Sequence, residues 1–334
     1  REQLLALARY ALRGITSERA AQLAFQRAFH QNPEVRWSAL YALWRMSPSR
    51  AVDSLIKHRS VDLQRLIADR HIEVRCQAAT LLGKSRSREA FRLLQQWSER
   101  EIPRGNWRVG VQMARSALAW LEHEPGASAV LERSLRWAHP HVRLAVLSGL
   151  SAAAPPAVAR AAARKSLVAR VDSLAAAPRL SDAVRGEALV ALALMSRSSD
   201  RFEHLALGEH QSLLRSKLLE ALSYLPSGRH LAIVMEHLDD EQVSIATAAW
   251  GCLPRLLTPS SIDAMADTNG LLETLPTDLL RAIRRALLRE DLAITAPVAS
   301  SVRDSSVADL LRSARLLEDV VESLMLTYTQ LSSP

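Results

Sequence analysis

The stretch DRHIEVRCQAATLLG, Asp69 to Gly83, decides how this chain folds. A polar start leads into Val74-Arg75, with a small residue four places after the valine (Ala78) and a leucine eight places after it (Leu82). Positions i, i+4 and i+8 fall on one helical face, so the three side chains enter the same core. The pattern returns around Val35-Arg36 with Ala39 and Leu43, and around Val142-Arg143 with Val146 and Leu150. It returns again at Val184-Arg185 with Ala188 and Leu192, and at Leu214-Arg215 with Leu218 and Leu222. Weaker copies start at Val109, Val243 and Leu280; Gly110 and Ser244 replace the arginine in the first two, and the third keeps Arg281. Spacings of 29 to 42 residues fit a helix, a turn, a second helix and a linker, used many times.

Each signature position has a physical task. A polar residue three places before the valine (Asn32, His71, Asn106, His139, Asp240, Thr277) stands where an N-cap accepts orphan backbone donors. Pro33 and Pro140 fall in the first turn, where a missing N–H costs nothing. The arginines Arg36, Arg75, Arg143, Arg185, Arg215 and Arg281 are placed to bond a carboxylate or a helix-end carbonyl in the adjacent unit, forming a ladder. Second helices are expected over 49–67, 88–98, 128–138, 156–174, 229–237 and 259–275, with Pro and Gly falling between units. The Ala-rich piece from Ala152 to Ala177 reads as containing one long second helix. Residues 1–31 read as an end unit, 32–290 as recognisable repeats, and 291–334 as capping helices of a single array. The fold expected is an all-α, right-handed α-solenoid of about nine to ten helical hairpins.

Composition agrees. Hydrophobic residues make up 48% of the 334 and aromatics only 4%, which suits closely packed helices more than sheets. No run of about 18 apolar residues free of charge occurs, so no membrane span is expected. The chain starts at Arg1 with no apolar signal-like stretch, as a mature or excised fragment would. Cys76 and Cys252 lie in different predicted helices as separate thiols, which leaves the compartment, cytoplasmic or periplasmic, open. Residues 1–150 hold 24 Lys and Arg against 13 Asp and Glu, a net +11, while residues 151–334 hold 19 against 22, a net −3. Such asymmetry points to an acidic partner for the N-terminal half.

The units Arg75–Gly83 and Val35–Leu43 resemble bacterial HEAT repeats of the short PBS-lyase type, whose pattern is D-x-x-x-V-R-x-x-A-x-x-A-L-G. That resemblance implies a helical array and leaves function open, because the family hosts scaffolds, lyases, hydroxylases and adaptor arms. Two blocks, Val35–Met46 and Asn106–Leu150, are also similar to the arrays that some bacteria fuse to a cyclophilin-type prolyl isomerase. No cyclophilin-like stretch lies within these residues.

The sequence carries no familiar catalytic constellation. A hydroxylase-like di-iron site needs His-Glu pairs directly after the repeat arginine, and those positions hold Trp37-Ser38, Cys76-Gln77, Leu144-Ala145 and Gly186-Glu187. The pairs that do occur, His123-Glu124, Glu203-His204, Glu209-His210 and Glu236-His237, fall near predicted helix ends. Six of seven tryptophans lie between Trp37 and Trp137, and Trp37, Trp44 and Trp120 are expected to pack in the core. No phosphate loop, nucleophile elbow or Cys-x-x-Cys pair exists, so no enzyme activity, cofactor or metal is expected. What remains is a basic stripe on neighbouring second helices: Lys57, His58 and Arg59, then Arg88, Arg92 and Gln96, then Arg133 and Arg136. If those helices line an inner surface, the stripe suits an acidic protein surface or peptide. Nucleic acid is the second reading, and an arm that holds substrate for a catalytic domain elsewhere is the third. Oligomeric state is not readable from the sequence.

Overall fold

The computed structural model describes residues 1–14, 17–101, 106–196, 202, 212–225, 227–237 and 240–256. The expected unit at Leu280 with Arg281, the N-cap Thr277, the capping helices of 291–334, and the pairs Glu203-His204 and Glu209-His210 lie outside the described residues. The protein is all-helical, and no strand occurs among the described residues. It divides into two units, Arg1–Ser196 and Arg197–Pro334.

In the first unit, helices α1 (Glu2–Leu12), α2 (Glu18–Arg27), α3 (Pro33–Met46), α4 (Arg50–His58), α5 (Ser60–Ile67) and α6 (Ile72–Lys84) come first. They are followed by α7 (Arg88–Glu101), α8 (Trp107–Trp120), α9 (Ala127–Arg136), α10 (Pro140–Ser151), α11 (Pro155–Ala163), α12 (Lys165–Ala175) and α13 (Asp182–Ser196). Packing sorts them into two rows. In one, each of α1, α3, α6, α8, α10 and α13 touches the next; in the other, the order is α2, α4, α7, α9, α12. The core lies between the rows. The valine positions Val74, Val109, Val142 and Val184 are buried, as are Ala39, Ala78, Met113, Val146 and Ala188 four places on from their unit starts. Leu43, Leu82, Leu150 and Leu192 complete the stripe, and burying a leucine stabilises by about 1.5–3 kcal/mol.

Two second helices are broken where the sequence led us to expect one. Residues 49–67 form α4 and α5, separated at Arg59 (φ −123, ψ 31), and the Ala-rich piece forms α11 and α12, separated at Arg164 (φ −91, ψ 91). One cause accounts for both. The buried positions Val52, Ile56, Leu63 and Leu66 leave a gap in the apolar stripe, and Arg59 falls in it. Ala157, Ala161, Val171 and Ala175 leave a like gap at Arg164. A continuous helix would drive each guanidinium into the core, and breaking at that residue turns it outward.

Helix starts follow the local signals closely. Asn32 and Asn106 accept from the amides of Glu34 and Arg108, each at 2.9 Å. His71 and His139 occupy N-caps without bonding through their side chains. At the first, Asp69 Oδ1 accepts from the His71 amide instead, at 2.8 Å. Gly83 allows α6 to approach the backbone of α8 closely: a Cβ there would stand 2.6 Å from the Ser116 Cα.

In the second unit, α14 (Ser212–Ser223), α15 (Gly228–Met235) and α16 (Val243–Leu256) pack on one another. Leu214, Leu218 and Leu222 are buried as expected of a repeat. Val243 is 78% exposed, whereas Ile245 and Ala249 are fully buried. The unit therefore begins at Ile245, two residues later than expected, since Ile245 and Ala249 take the valine and small-residue places.

Candidate functional site

In the first unit, Arg36 and Arg75 lie at junctions of the first row. Arg36 on α3 donates from Nε and Nη2 to the two carboxylate oxygens of Asp69, at 2.7 and 2.9 Å. Its Nη1 donates to the carbonyls of His30 and Gln31. Arg75 on α6 reaches Glu101 at 2.8 Å, and Arg215 on α14 reaches Asp240 at 2.8 Å. Asp69 stands five places before Val74, and Asp240 five before Ile245, so one register serves both. Burial pushes the Asp69 carboxyl up, but the Arg36 and His71 hydrogen bonds and the Arg36 charge outweigh it and hold it below its ordinary value. Arg185 lies 3.6 Å from Asp182 of its own first turn. Arg143 departs from the ladder: among the described residues it has no carboxylate partner, and its Nε is buried without one.

The basic stripe divides into four places. Lys57, Arg88 and Arg92 come together, with Arg50, His58 and Asp53, around a groove of about 860 Å³ between α4 and α7. Asp53 is occupied, accepting from the Ser85 hydroxyl at 2.6 Å and the Arg86 amide at 3.1 Å. Glu89, which also lines the groove, holds Arg92 at 2.6 Å. Arg88 is almost fully exposed and reaches Glu124 only at 3.5 Å. Lys57 and Arg50 carry no ion pair among the described residues, so the groove presents Arg50, Lys57 and Arg88 as its cations.

The other stripe residues go elsewhere. Arg59, at the helix break, bonds Asp62 at 2.7 Å and lies over the Phe25 ring. Gln96 faces a separate cleft of about 170 Å³ between α5 and α7, with Arg75, Trp97 and Arg100. Arg133 donates to Ser98 Oγ at 2.8 Å, and Arg136 to Glu132 at 2.7 Å. Glu132 is a buried carboxylate that sequence reasoning missed. It also accepts from Arg164 at 2.9 Å and from the Ser166 hydroxyl at 2.7 Å, fastening α9 to the start of α12. Burial alone would raise its pKa; the Ser166 and Arg164 hydrogen bonds pull it below the ordinary value. The signal was available, since Arg164 interrupts an apolar stripe and a displaced guanidinium needs a partner.

The tryptophans also differ from expectation. Trp120 is buried and donates from Nε1 to the Leu82 carbonyl at 2.8 Å. Trp37 and Trp44 are only half-buried: Trp37 stacks on Tyr41, and Arg45 lies over the Trp44 ring at 4.5 Å. Tryptophan, tyrosine and arginine at i, i+4, i+7 and i+8 form this column because those positions share one face of α3. Trp107 is 38% exposed and stacks on His139.

Among the described residues no group of three or more His, Cys, Asp or Glu stands together to hold a metal ion. No single described helix is long and apolar enough to cross a membrane. Burial pushes the Cys76 and Cys252 thiols up to about 11, which keeps both protonated at neutral pH.

No family model matches the chain, and no curated protein does. Among solved structures, it is similar to the crystal structure of an engineered protein, a structural genomics target, at 16% identity and a TM-score of 0.45, covering 97% of this chain and 90% of that one. A second engineered protein is 15% identical with a TM-score of 0.36, over 71% of this chain and 96% of that one. Likenesses at that level carry no argument about function, which rests on the geometry above.

Proposed function

We propose that this chain is a non-catalytic scaffold that holds an acidic peptide segment of a partner protein in the groove between α4 and α7. The observation that carries the reading is the charge state of that groove. Glu89 is paired with Arg92 and Asp53 accepts from the Ser85 hydroxyl and the Arg86 amide, while among the described residues Arg50 and Lys57 carry no ion pair and Arg88 reaches Glu124 only at 3.5 Å. An extended segment rich in Asp and Glu would complement three cations spread along a groove of this size. In this reading the array is a right-handed α-solenoid of HEAT-like hairpins, a geometry that the two-row packing of the first unit supports.

The test is fluorescence anisotropy of a labelled Asp/Glu-rich peptide against the whole chain. Binding is expected to weaken at least about tenfold in the Lys57→Glu, Arg88→Glu double variant, with unchanged helicity by circular dichroism. Unaltered affinity would remove the groove from the argument. The same cations would meet a phosphate backbone, so duplex DNA at two salt concentrations is the competing arm. Tighter retention of duplex than of peptide, falling steeply with salt, would replace the peptide with nucleic acid. A role as the substrate-holding arm of a larger enzyme uses the same groove and predicts the same variant phenotype.

A further inference from the structure

The groove between α4 and α7 has a continuation. One of its walls is α4, and the other is the first half of α7, from Ser87 to Arg92. Further along, the cleft of about 170 Å³ has α5 on one side, through Gln64, Ile67 and Ala68, and the second half of α7 on the other, through Leu93, Gln96 and Trp97. Chain order is the same on both walls, and α4 and α5 each pack on α7. Arg88, Arg92, Gln96 and Arg100, four residues apart, form one ridge of α7; the first two border the groove and the last two the cleft. Groove and cleft are successive parts of one furrow.

The two parts differ in chemistry. The groove is charged, whereas Ile67, Leu93 and Trp97 give the cleft apolar walls. Arg75 and Glu101, at its edge, neutralise each other at 2.8 Å. Arg100 is exposed and carries no ion pair among the described residues. A cavity of about 150 Å³ is enough for one benzene ring, so the cleft has room for a single apolar side chain of that size. Arg88 before the cleft and Arg100 beside it keep both flanks complementary to an acidic segment.

We infer that the cleft is an anchor pocket for the acidic segment of the partner protein, taking one phenylalanine-sized side chain about four residues from the segment's acidic block. The inference rests on the role proposed for the groove. From Arg88 to Trp97, α7 rises about 13.5 Å, at 1.5 Å for each residue, and an extended chain covers that in about four residues of roughly 3.3 Å. The cations steer the segment and set the sign of its charge, and the apolar anchor, withdrawn from water, slows its release.

The experiment is fluorescence anisotropy on the full chain with four labelled peptides. The first has five aspartates, three serines and a phenylalanine; the second is its mirror, with phenylalanine leading; the other two carry alanine in place of phenylalanine. In one orientation the phenylalanine peptide is expected to bind at least about tenfold tighter than its alanine counterpart. Ala68→Phe, at an exposed position, fills the cleft, and there the two peptides should bind alike. Gln96→Trp fills it from the other wall and serves if the first variant fails to fold. In Lys57→Glu, Arg88→Glu both peptides should weaken in parallel, with their ratio kept. Equal affinity of phenylalanine and alanine peptides for the wild-type chain in both orientations would overturn the anchor and leave the groove standing. A gain that survives in the filled variants would do the same. Failure of all four peptides to bind would overturn the groove reading, and the anchor with it.

Discussion

Arg36 and Arg92, one in each row of helices, do two different things. On the first row, Arg36 and Asp69 leave only 12% and 9% of their side chains exposed, and each of the three nitrogens of the Arg36 fork has a partner. On the second row, Arg92 pairs with Glu89 three residues away on its own helix, with 65% of the arginine side chain in solvent. Both contacts are short. They differ in what is lost when they break: on the first row a shielded charge is stranded between two units, and on the second row water takes the place of the carboxylate. Ion-pair distance therefore says little here about stability, and burial says most of it.

The sharpest way to break that contrast is Asp69→Ala. Removing one partner of a shielded pair leaves Arg36 uncompensated, and a loss of about 3 kcal/mol is expected in urea unfolding, at the low end for buried pairs because the His30 and Gln31 carbonyls still hold the guanidinium. The pH dependence follows from the depressed carboxyls of Asp69 and Glu132. Because their folded-state values lie below the unfolded ones, their contribution is fully present above pH ~5 and is lost as pH falls through the folded values. Stability of the wild-type chain should thus drop below pH ~4, and the drop should be shallower in Asp69→Ala and in Glu132→Gln. Equal acid sensitivity in all three would show that neither carboxylate is thermodynamically linked to folding.

Close packing gives the second test. Gly83→Ala forces a Cβ to within 2.6 Å of the Ser116 backbone, which cannot step aside without moving α8. At Gly149 the nearest obstacle is the terminal methyl of Leu118, which can rotate away. Overpacking against backbone should cost about 1–2 kcal/mol at Gly83 even after alanine's better helix propensity is included. Gly149→Ala should stay within about 0.5 kcal/mol of wild type by thermal unfolding, because propensity gain and side-chain adjustment offset each other.

Much of this was legible in the residues. The valine, small residue and leucine at i, i+4 and i+8 announce a buried face because helical period and burial are the same fact, and Val74, Ala78 and Leu82 lie where that period puts them. The helix breaks were written less openly: Arg59 and Arg164 sit inside stripes whose other members are apolar, and the period alone counts them as helix. Val243 misled for the opposite reason, being apolar in a place that the chain exposes. The groove needed adjacency. Lys57 and Arg88 belong to different helices, and only the contact of α4 with α7 joins them. The removal of Arg133 and Arg136 from the stripe depended on Ser98 and Glu132, small or acidic residues that the stripe's own pattern does not mention.

The smallest effect is also the most discriminating. Arg92→Ala removes a short, well-formed ion pair, and on distance alone it should resemble the loss of Asp69. An exposed pair at i, i+3 is worth at most about 0.5 kcal/mol, since solvent screens the charges and two long side chains surrender freedom to meet. Urea midpoints of the wild-type chain and Arg92→Ala should therefore coincide within that amount. Freed from Arg92, Glu89 becomes an unneutralised carboxylate at the edge of the groove, beside Arg88 and Lys57. Affinity for an acidic peptide should fall a few-fold although stability does not move. A variant that loses stability and keeps affinity would invert the comparison, placing the second-row arginines with the structural ladder and leaving the groove without its role.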